Sequence, residues 1–591
     1  MRLIVPCLGE IHPVDRRLVR LAEFLGIDCL TIPLDKSAGA APEFLERAIA
    51  LREACFVVNP CVLQGWLGGD TLPVALSSSL VTHFPHLLIH SPRLETFDSS
   101  LINLLSHGHL QAARKIGQSE RFYDISPESR DICDAFAGLS FGPTNHVNDQ
   151  VFSIGHEGPE LLKLISIAGQ PFMAALQRDK SKIWFLAGQD VADLDAEIED
   201  APVSEYFSRL LPHAMALRCI FAEESWRPLK QYASVIIDDP LLRRNYGFLN
   251  FESLLTLMKQ RNFHSTIAFI PHNFRRSSPG ITRMFRHNTE RFSLCFHGND
   301  HTGAEFASND AVLLNTLLRI AEQRMERHNK ITGLHCDRAM VFPQGNFSLE
   351  AMAVLRVHNF DGAVNTVPYP MHDRVRLTLR DIAQPAVLRY ESFPLFLRND
   401  SVHTQSADIA FNCFFGRPVL IVEHHDVFQH PETLADAATR INTVAPNTCW
   451  SNVGAVLRNS VLEKCTPDGI HHIRAYSNTV EVSNHSSSVK QFSIEWNQRT
   501  HPEQVLQDES QPVKFTADGM GIHVDTALPG GSSRTFSLVH QNPYREFGDL
   551  GLRRKTKAYV RRRLSEVRDN YLSKNPRVLA AAKKLQRSLP R

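Results

Sequence analysis

Between residues 224 and 460, short β-branched runs alternate with stretches of helical periodicity, and run after run breaks off in a cluster of polar residues. The clearest is Tyr232-Ala-Ser-Val-Ile-Ile-Asp-Asp-Pro240, whose apolar body predicts a buried strand that delivers Asp238 and Asp239 to its C-terminal edge. His264 to Ile270 and Phe292 to Phe296 are further strand candidates, the second followed by His297-Gly-Asn-Asp-His301. Ala339 to Phe342 closes in Pro343-Gln-Gly-Asn-Phe347, Gly362 to Asn365 continues the pattern, and Pro418 to Val422 runs into Glu423-His-His-Asp426. Helical periodicity over Phe248 to Arg261, Asp310 to Asn329, Leu349 to His358 and Glu432 to Val444 fills the gaps. Strand and helix units repeated in this way predict a (β/α) barrel, in which the side chains for chemistry collect at the C-terminal ends of the strands.

One carboxylate with two imidazoles is a common ligand set for a catalytic divalent metal, because it fixes the ion and leaves positions open. Asp238 or Asp239, with His297 and His301, supplies that set. The plainer account is that paired aspartates end strands as turn or cap residues and that 28 histidines produce some His-x-x-x-His spacings by chance. Asn299 and Asp300 either orient the imidazoles or contact a bound ligand, or serve only as turn chemistry. Phe342, Phe347, Tyr369 and Phe428, near strand ends, suit either a stacking platform or the core.

These residues resemble the polysaccharide deacetylase family, the NodB-homology group of carbohydrate esterases, over about residues 224–460. The family's Thr-Phe-Asp-Asp-Gly is matched by Ile236-Ile-Asp-Asp-Pro240, its His-Ser/Thr-x-x-His by His297-Gly-Asn-Asp-His301, and its late Leu-x-His by Val422-Glu-His-His425. The resemblance implies a distorted (β/α) barrel of NodB type and a divalent metal, usually zinc, on Asp239, His297 and His301. It implies Asp238 as the base and His424 or His425 as the acid, with Asn299, Asp300, Pro343 and Gln344 towards the substrate. The activity implied is removal of an acyl group from an amino sugar or a polysaccharide precursor. Three positions depart from the pattern: Val341-Phe-Pro-Gln-Gly345 stands where the family has Arg-x-Pro-Tyr-Gly, Gly298 replaces a hydroxyl residue, and no Asp-x-x-Asp-Trp element is evident. A catalytically silent carbohydrate-binding or assembly protein is therefore an alternative, as is another barrel hydrolase cleaving a glycosidic or a non-peptide C–N bond.

The flanks read differently. Residues 1–223 alternate strands (Arg2 to Val5, Cys29 to Ile32, Cys55 to Val58, His86 to Ile89) with helices (Asp15 to Phe24, Ala41 to Arg52), which predicts a parallel α/β sheet of Rossmann or flavodoxin type, with a hairpin-rich addition over residues 162–186. Residues 461–543 alternate with period two between turn clusters and predict an antiparallel β-sandwich. From Arg553 onward 14 Lys or Arg face only Glu566 and Asp569, so residues 544–591 form a basic tail of helical propensity, split by Pro576. Such a tail suits solvent, an anionic membrane surface, an acidic partner or an acidic face of this chain, with nucleic acid a weaker candidate. Eleven cysteines without a Cys-x-x-Cys pair suggest reduced thiols. The short apolar run at the N-terminus and the lack of a spanning segment point to a cytoplasmic protein, peripheral at most to the inner membrane face.

Overall fold

A computed structural model describes residues 1–34, 54–117, 122–142, 149–198, 203–497, 502–519, 521–544, 548, 550–572 and 574. The helix expected over Ala41 to Arg52 and the break expected at Pro576 lie outside these residues. The chain divides into two compact units, one built chiefly from Met1–Arg227 and the other from Pro228–Leu377, Asp381–Glu463 and Gly469–Arg591.

In the first unit Cys29–Pro33, Arg2–Cys7, Ala54–Val58 and His86–Ile89 lie side by side as parallel strands. Their residues are short, apolar and largely buried, as a sheet covered on both faces requires. The parallel sheet expected from the sequence is part of a larger mixed one, because the expected hairpins join it. Ser181–Leu186 adds in parallel to His86–Ile89, and Gln170–Arg178, Leu161–Ile167 and Tyr123–Ile125 then follow antiparallel in the same sheet. Tight turns such as Ala168-Gly169 let these strands pair as hairpins, so they extend the sheet and do not form a separate addition.

The second unit is organised on one sheet. Its hydrogen-bonded order is Val387–Tyr390, Phe393–Leu397, Gly362–Asn365, Asp337–Val341, Phe292–Phe296, Ser265–Phe269, Tyr232–Asp238, Val419–Glu423 and Asn399–Asp400. All neighbours are parallel except the first pair. Val235, Ile236 and Ile237 are fully buried, each contributing about 2 kcal/mol of hydrophobic stabilisation. The intervening helices start on side-chain caps: Asn250 accepts from Ser253 N–H, Asp310 from Leu313 N–H and Ser348 from Ala351 N–H.

No ladder closes this sheet into a ring among the described residues, which qualifies the expected barrel. Phe393–Leu397, second from one end of the order, and Asn399–Asp400, last at the other, are pieces of one stretch, 393–400, which pairs with Gly362–Asn365 up to Leu397 and with Val419–Glu423 from Asn399. Arg398 stands at the seam, its N–H still donating to Asn365 O at 3.0 Å.

Beyond the sheet, Ile470–Ala475, Lys490–Trp496 and Ile522–Leu528 form one layer and Thr479–Ser483, Ser533–Val539 and Gln504–Gln507 another, around a core that includes Ile473, Phe492, Trp496, Val505, Phe536 and Leu538. One pairing departs from the antiparallel expectation: Ile470–Ala475 and Lys490–Trp496 run parallel, because Thr479–Ser483 between them in sequence joins the other layer.

Candidate metal centre

Asp238 is the last residue of its strand and Asp239 the first beyond it. Asp239 has φ 79°, a left-handed conformation that a carboxylate residue rarely adopts, while its N–H still donates to Ala268 O at 3.3 Å. The reversal sends the two acids to different partners. Asp238 is buried and bound through both oxygens by Arg398, Nη1 to Oδ1 at 2.8 Å and Nη2 to Oδ2 at 2.7 Å. Burial pulls its carboxyl upward, but Arg398, with His297 and His424 beyond, overrides this and holds it well below the usual carboxylate range.

Asp239 Oδ1 lies 3.5 Å from His297 Nε2 and 3.4 Å from His301 Nε2. Among the described residues it is a buried acceptor without a hydrogen-bond partner. Ligand atoms at about 2.0–2.2 Å around one tetrahedral cation would stand about 3.3–3.6 Å apart, so these separations suit a shared metal. The three ligand atoms all fall within 4.8 Å of one another. His297 Nδ1 faces Val341 O at 3.0 Å, an arrangement in which it donates and leaves Nε2 with its lone pair free. Burial first, with Asp239 opposing, pushes His301 down to about 4, so its ring is neutral and able to ligate at pH 7.

The loop between the histidines is shaped by a residue not anticipated from the sequence. Glu305 accepts the N–H groups of Asn299, Asp300 and His301 at 2.8, 3.2 and 3.0 Å. Gly298 has φ 63°, and a Cβ there would sit 2.2 Å from Glu305 Oε1 and 2.4 Å from Pro343 Cγ. A side chain at this position would collide with both groups on a left-handed backbone, so the loop requires glycine here. His301 and Gln344 are also left-handed, with φ 57° and 59°. Strain of this kind persists only where the surroundings impose it.

Of the residues expected towards the substrate, Asn299 and Asp300 are buried: Asn299 Oδ1 accepts from Arg324 at 2.6 Å, and Asp300 Oδ1 closes a turn onto Thr302 N–H at 3.0 Å. Pro343 is buried beneath Gly298 and Gln344 is exposed. Phe342 and Phe347 stack on each other in the core and form no sugar platform.

The two histidines of Val422-Glu-His-His425 part company. His424 is exposed and its charge reaches Asp238. His425 packs on Tyr246 and Phe248 with its Nε2 3.5 Å from Asp569 Oδ1, and Gly247, with φ 56°, makes room for its ring.

Asp569 belongs to the C-terminal tail, and the solvated tail is corrected here. Helix Gly551–Val567 and the turn Arg568–Leu572 dock beside the metal-ligand set. The two acids that follow Arg553 anchor it: Glu566 pairs bidentately with Arg276, Nη2 to Oε2 at 2.6 Å, and Asp569 accepts from Tyr246 Oη at 2.8 Å. Gly247 N–H donates to Asn570 Oδ1 at 2.9 Å. The docked helix brings Arg562 to the site, where its charge acts on Asp239, His301 and Tyr246. Arg398 carried no sequence signal. Glu566 and Asp569 did, as two acids spaced i, i+3 in an otherwise basic segment.

No family model and no curated protein matches the chain. Solved structures do. The central region resembles polysaccharide deacetylases. A Mycobacterium smegmatis protein described as a polysaccharide deacetylase aligns at 12% identity and TM-score 0.28, covering 39% of this chain and 92% of that one. A family 4 carbohydrate esterase from Bacillus anthracis aligns at 12% identity and TM-score 0.24, covering 39% and 84%. A family 4 acetyl xylan esterase from Clostridium thermocellum, in complex with a cobalt ion, aligns at 11% and 0.23, covering 38% and 90%.

Proposed function

We propose that this protein is a metal-dependent hydrolase that removes an acyl group, of the acetyl type, from an amino sugar or polysaccharide precursor. The observation that carries this reading is the convergence of Asp239 Oδ1, His297 Nε2 and His301 Nε2, with the first a buried acceptor lacking any other partner. These three side chains would hold a divalent cation, with zinc the metal we favour for two imidazoles and a carboxylate. When bound, the cation supplies Lewis acidity to the acyl carbonyl and to water.

The chain's own residues supply the rest. Asp238 stays ionised throughout the neutral range and takes a proton from the attacking water, while Arg398 fixes its orientation and keeps it from becoming a metal ligand. His424, exposed at the end of Val419–Glu423, protonates the departing amine; His425 is committed to the tail. Gln344, exposed on its strained loop, contacts the sugar.

Metal analysis and acetate release from a panel of acetylated sugars test the reading together. About one equivalent of metal is expected, with Asp238→Asn lowering turnover by about 10²–10⁴ without loss of metal. Less than a tenth of an equivalent, with no gain on adding zinc, would refute it.

A further inference from the structure

One charge at the centre has no place in that chemistry. Arg562 is 3% exposed, its Nε is fully buried, and among the described residues it makes no hydrogen bond or ion pair. A guanidinium held this far out of water without a hydrogen-bonded acceptor is costly, and Asp239, the carboxylate that feels its charge, forms no ion pair with it among the described residues. The helix holds it there all the same, through Glu566 and Asp569.

Other donors around it are left unused in the same way. Arg324 donates to Asn299 Oδ1 and Arg276 to Asn273 Oδ1, at 2.6 and 3.4 Å, which orients each amide so that its Nδ2 points elsewhere. Both Nδ2 atoms are buried and unpartnered, as are His272 Nδ1 and Thr302 Oγ1. His272 marks the common neighbourhood: besides its burial it feels Arg324, Asp300, Arg562 and Arg276. The acids nearby are taken. Asp300 holds Thr302 N–H, Glu305 holds three backbone donors, and Asp239 belongs to the metal-ligand set. An excess of buried donors and positive charge with no acceptor describes a site for an oxyanion.

We propose that Arg562 binds an anionic group carried by the substrate, a phosphate or a carboxylate close to the acyl group, so that the C-terminal helix selects anionic over neutral sugars. This rests on the hydrolase reading of the same centre and adds the substrate class.

The test uses the full chain as purified with its metal. Calorimetry follows inorganic phosphate, glucuronate and neutral N-acetylglucosamine with wild type, Arg562→Gln, Arg562→Lys and the exposed control Arg553→Gln. Wild type and Arg553→Gln should bind one of the two anions alike, Arg562→Gln at least tenfold more weakly, and Arg562→Lys in between. Which anion binds tells phosphate from carboxylate. Equal affinity in wild type and Arg562→Gln, which would mean the metal alone holds the anion, overturns the proposal, as does failure of wild type to bind either. Limited proteolysis of each variant checks that the helix stays docked. Should Arg562→Gln undock it, Arg562→Lys decides: a loss of threefold or more supports the proposal and wild-type affinity overturns it. Acetate release from neutral sugars with no anion binding would sink this inference alone, whereas Arg562-dependent anion binding without metal or acetate release would sink the hydrolase reading instead.

Discussion

Asp238 and Arg398 form a two-point ion pair across the seam of the central sheet, at 2.8 and 2.7 Å, with both side chains 4% exposed. Asp238 ends the strand Tyr232–Asp238, and Arg398 stands where the stretch 393–400 changes partner from one side of the sheet to the other. The pair therefore ties an interior strand of the sheet to the residue at which the stretch 393–400 changes partner.

Removing one partner should leave a buried, uncompensated charge. Arg398→Gln is expected to cost about 3–5 kcal/mol in denaturant unfolding. Because Asp238 is held low, its ionised form contributes stability in full above about pH 4 and loses it as pH falls through the folded value. Without Arg398 that carboxyl rises, so the variant should be more damaged at pH 8 than at pH 5. Equal losses at the two pH values would remove Arg398 as the cause of the shift.

Gly298 gives a prediction opposite to what family resemblance alone suggests. Gly298→Ser restores a hydroxyl residue, yet it places a Cβ 2.2 Å from Glu305 Oε1 at φ 63°. The left-handed backbone costs about 1 kcal/mol for a non-glycine residue, and displacing Glu305 releases three N–H groups around His301. Metal content by elemental analysis should fall by half or more and the melting temperature by several degrees. A variant with full metal content would show that Glu305 does not shape the loop.

Local patterns made much of this architecture legible, and pairings distant in sequence did not. Tyr232 to Asp239 reads as a strand end because burial and β-branching are properties of consecutive residues, and His297 and His301 stand out by spacing. Arg398 lies 160 residues from Asp238 with nothing local to mark it. The mixed sheet of the first unit depends on which edge Ser181–Leu186 joins, a choice made by tertiary packing. The docking of the tail was obscured by the 14 bases from Arg553 onward, which suggest a solvated or surface-seeking helix, when the contacts that anchor it come from the two acids among them.

Those two acids can be tested directly. Glu566→Ala with Asp569→Ala should undock the helix and speed tryptic cleavage within residues 551–572 at least tenfold. Burial raises Asp569, but His425, Arg568 and Tyr246 pull it well below the usual range, so docking should hold at pH 5–8 and weaken only below about pH 4. Amide hydrogen exchange in the helix, compared at pH 7 and pH 3.5, reads this out; equal protection at both would deny Asp569 its role.

Asp361 offers a pH dependence of opposite sign to that of Asp238. Burial pushes its carboxyl up to about 6, with Arg458 opposing. Between about pH 4 and pH 6 the unfolded chain has released this proton while the folded protein still holds it, so stability falls as pH rises through that window and is level above it. The loss amounts to about 2–3 kcal/mol. Asp361→Asn keeps the shape and an acceptor but cannot ionise. It should therefore be more stable than wild type at pH 7.5 by about that amount and match it near pH 4, in urea unfolding at the two pH values. A variant destabilised equally at both would mean that the carboxylate is satisfied in its charged form and that burial does not govern it.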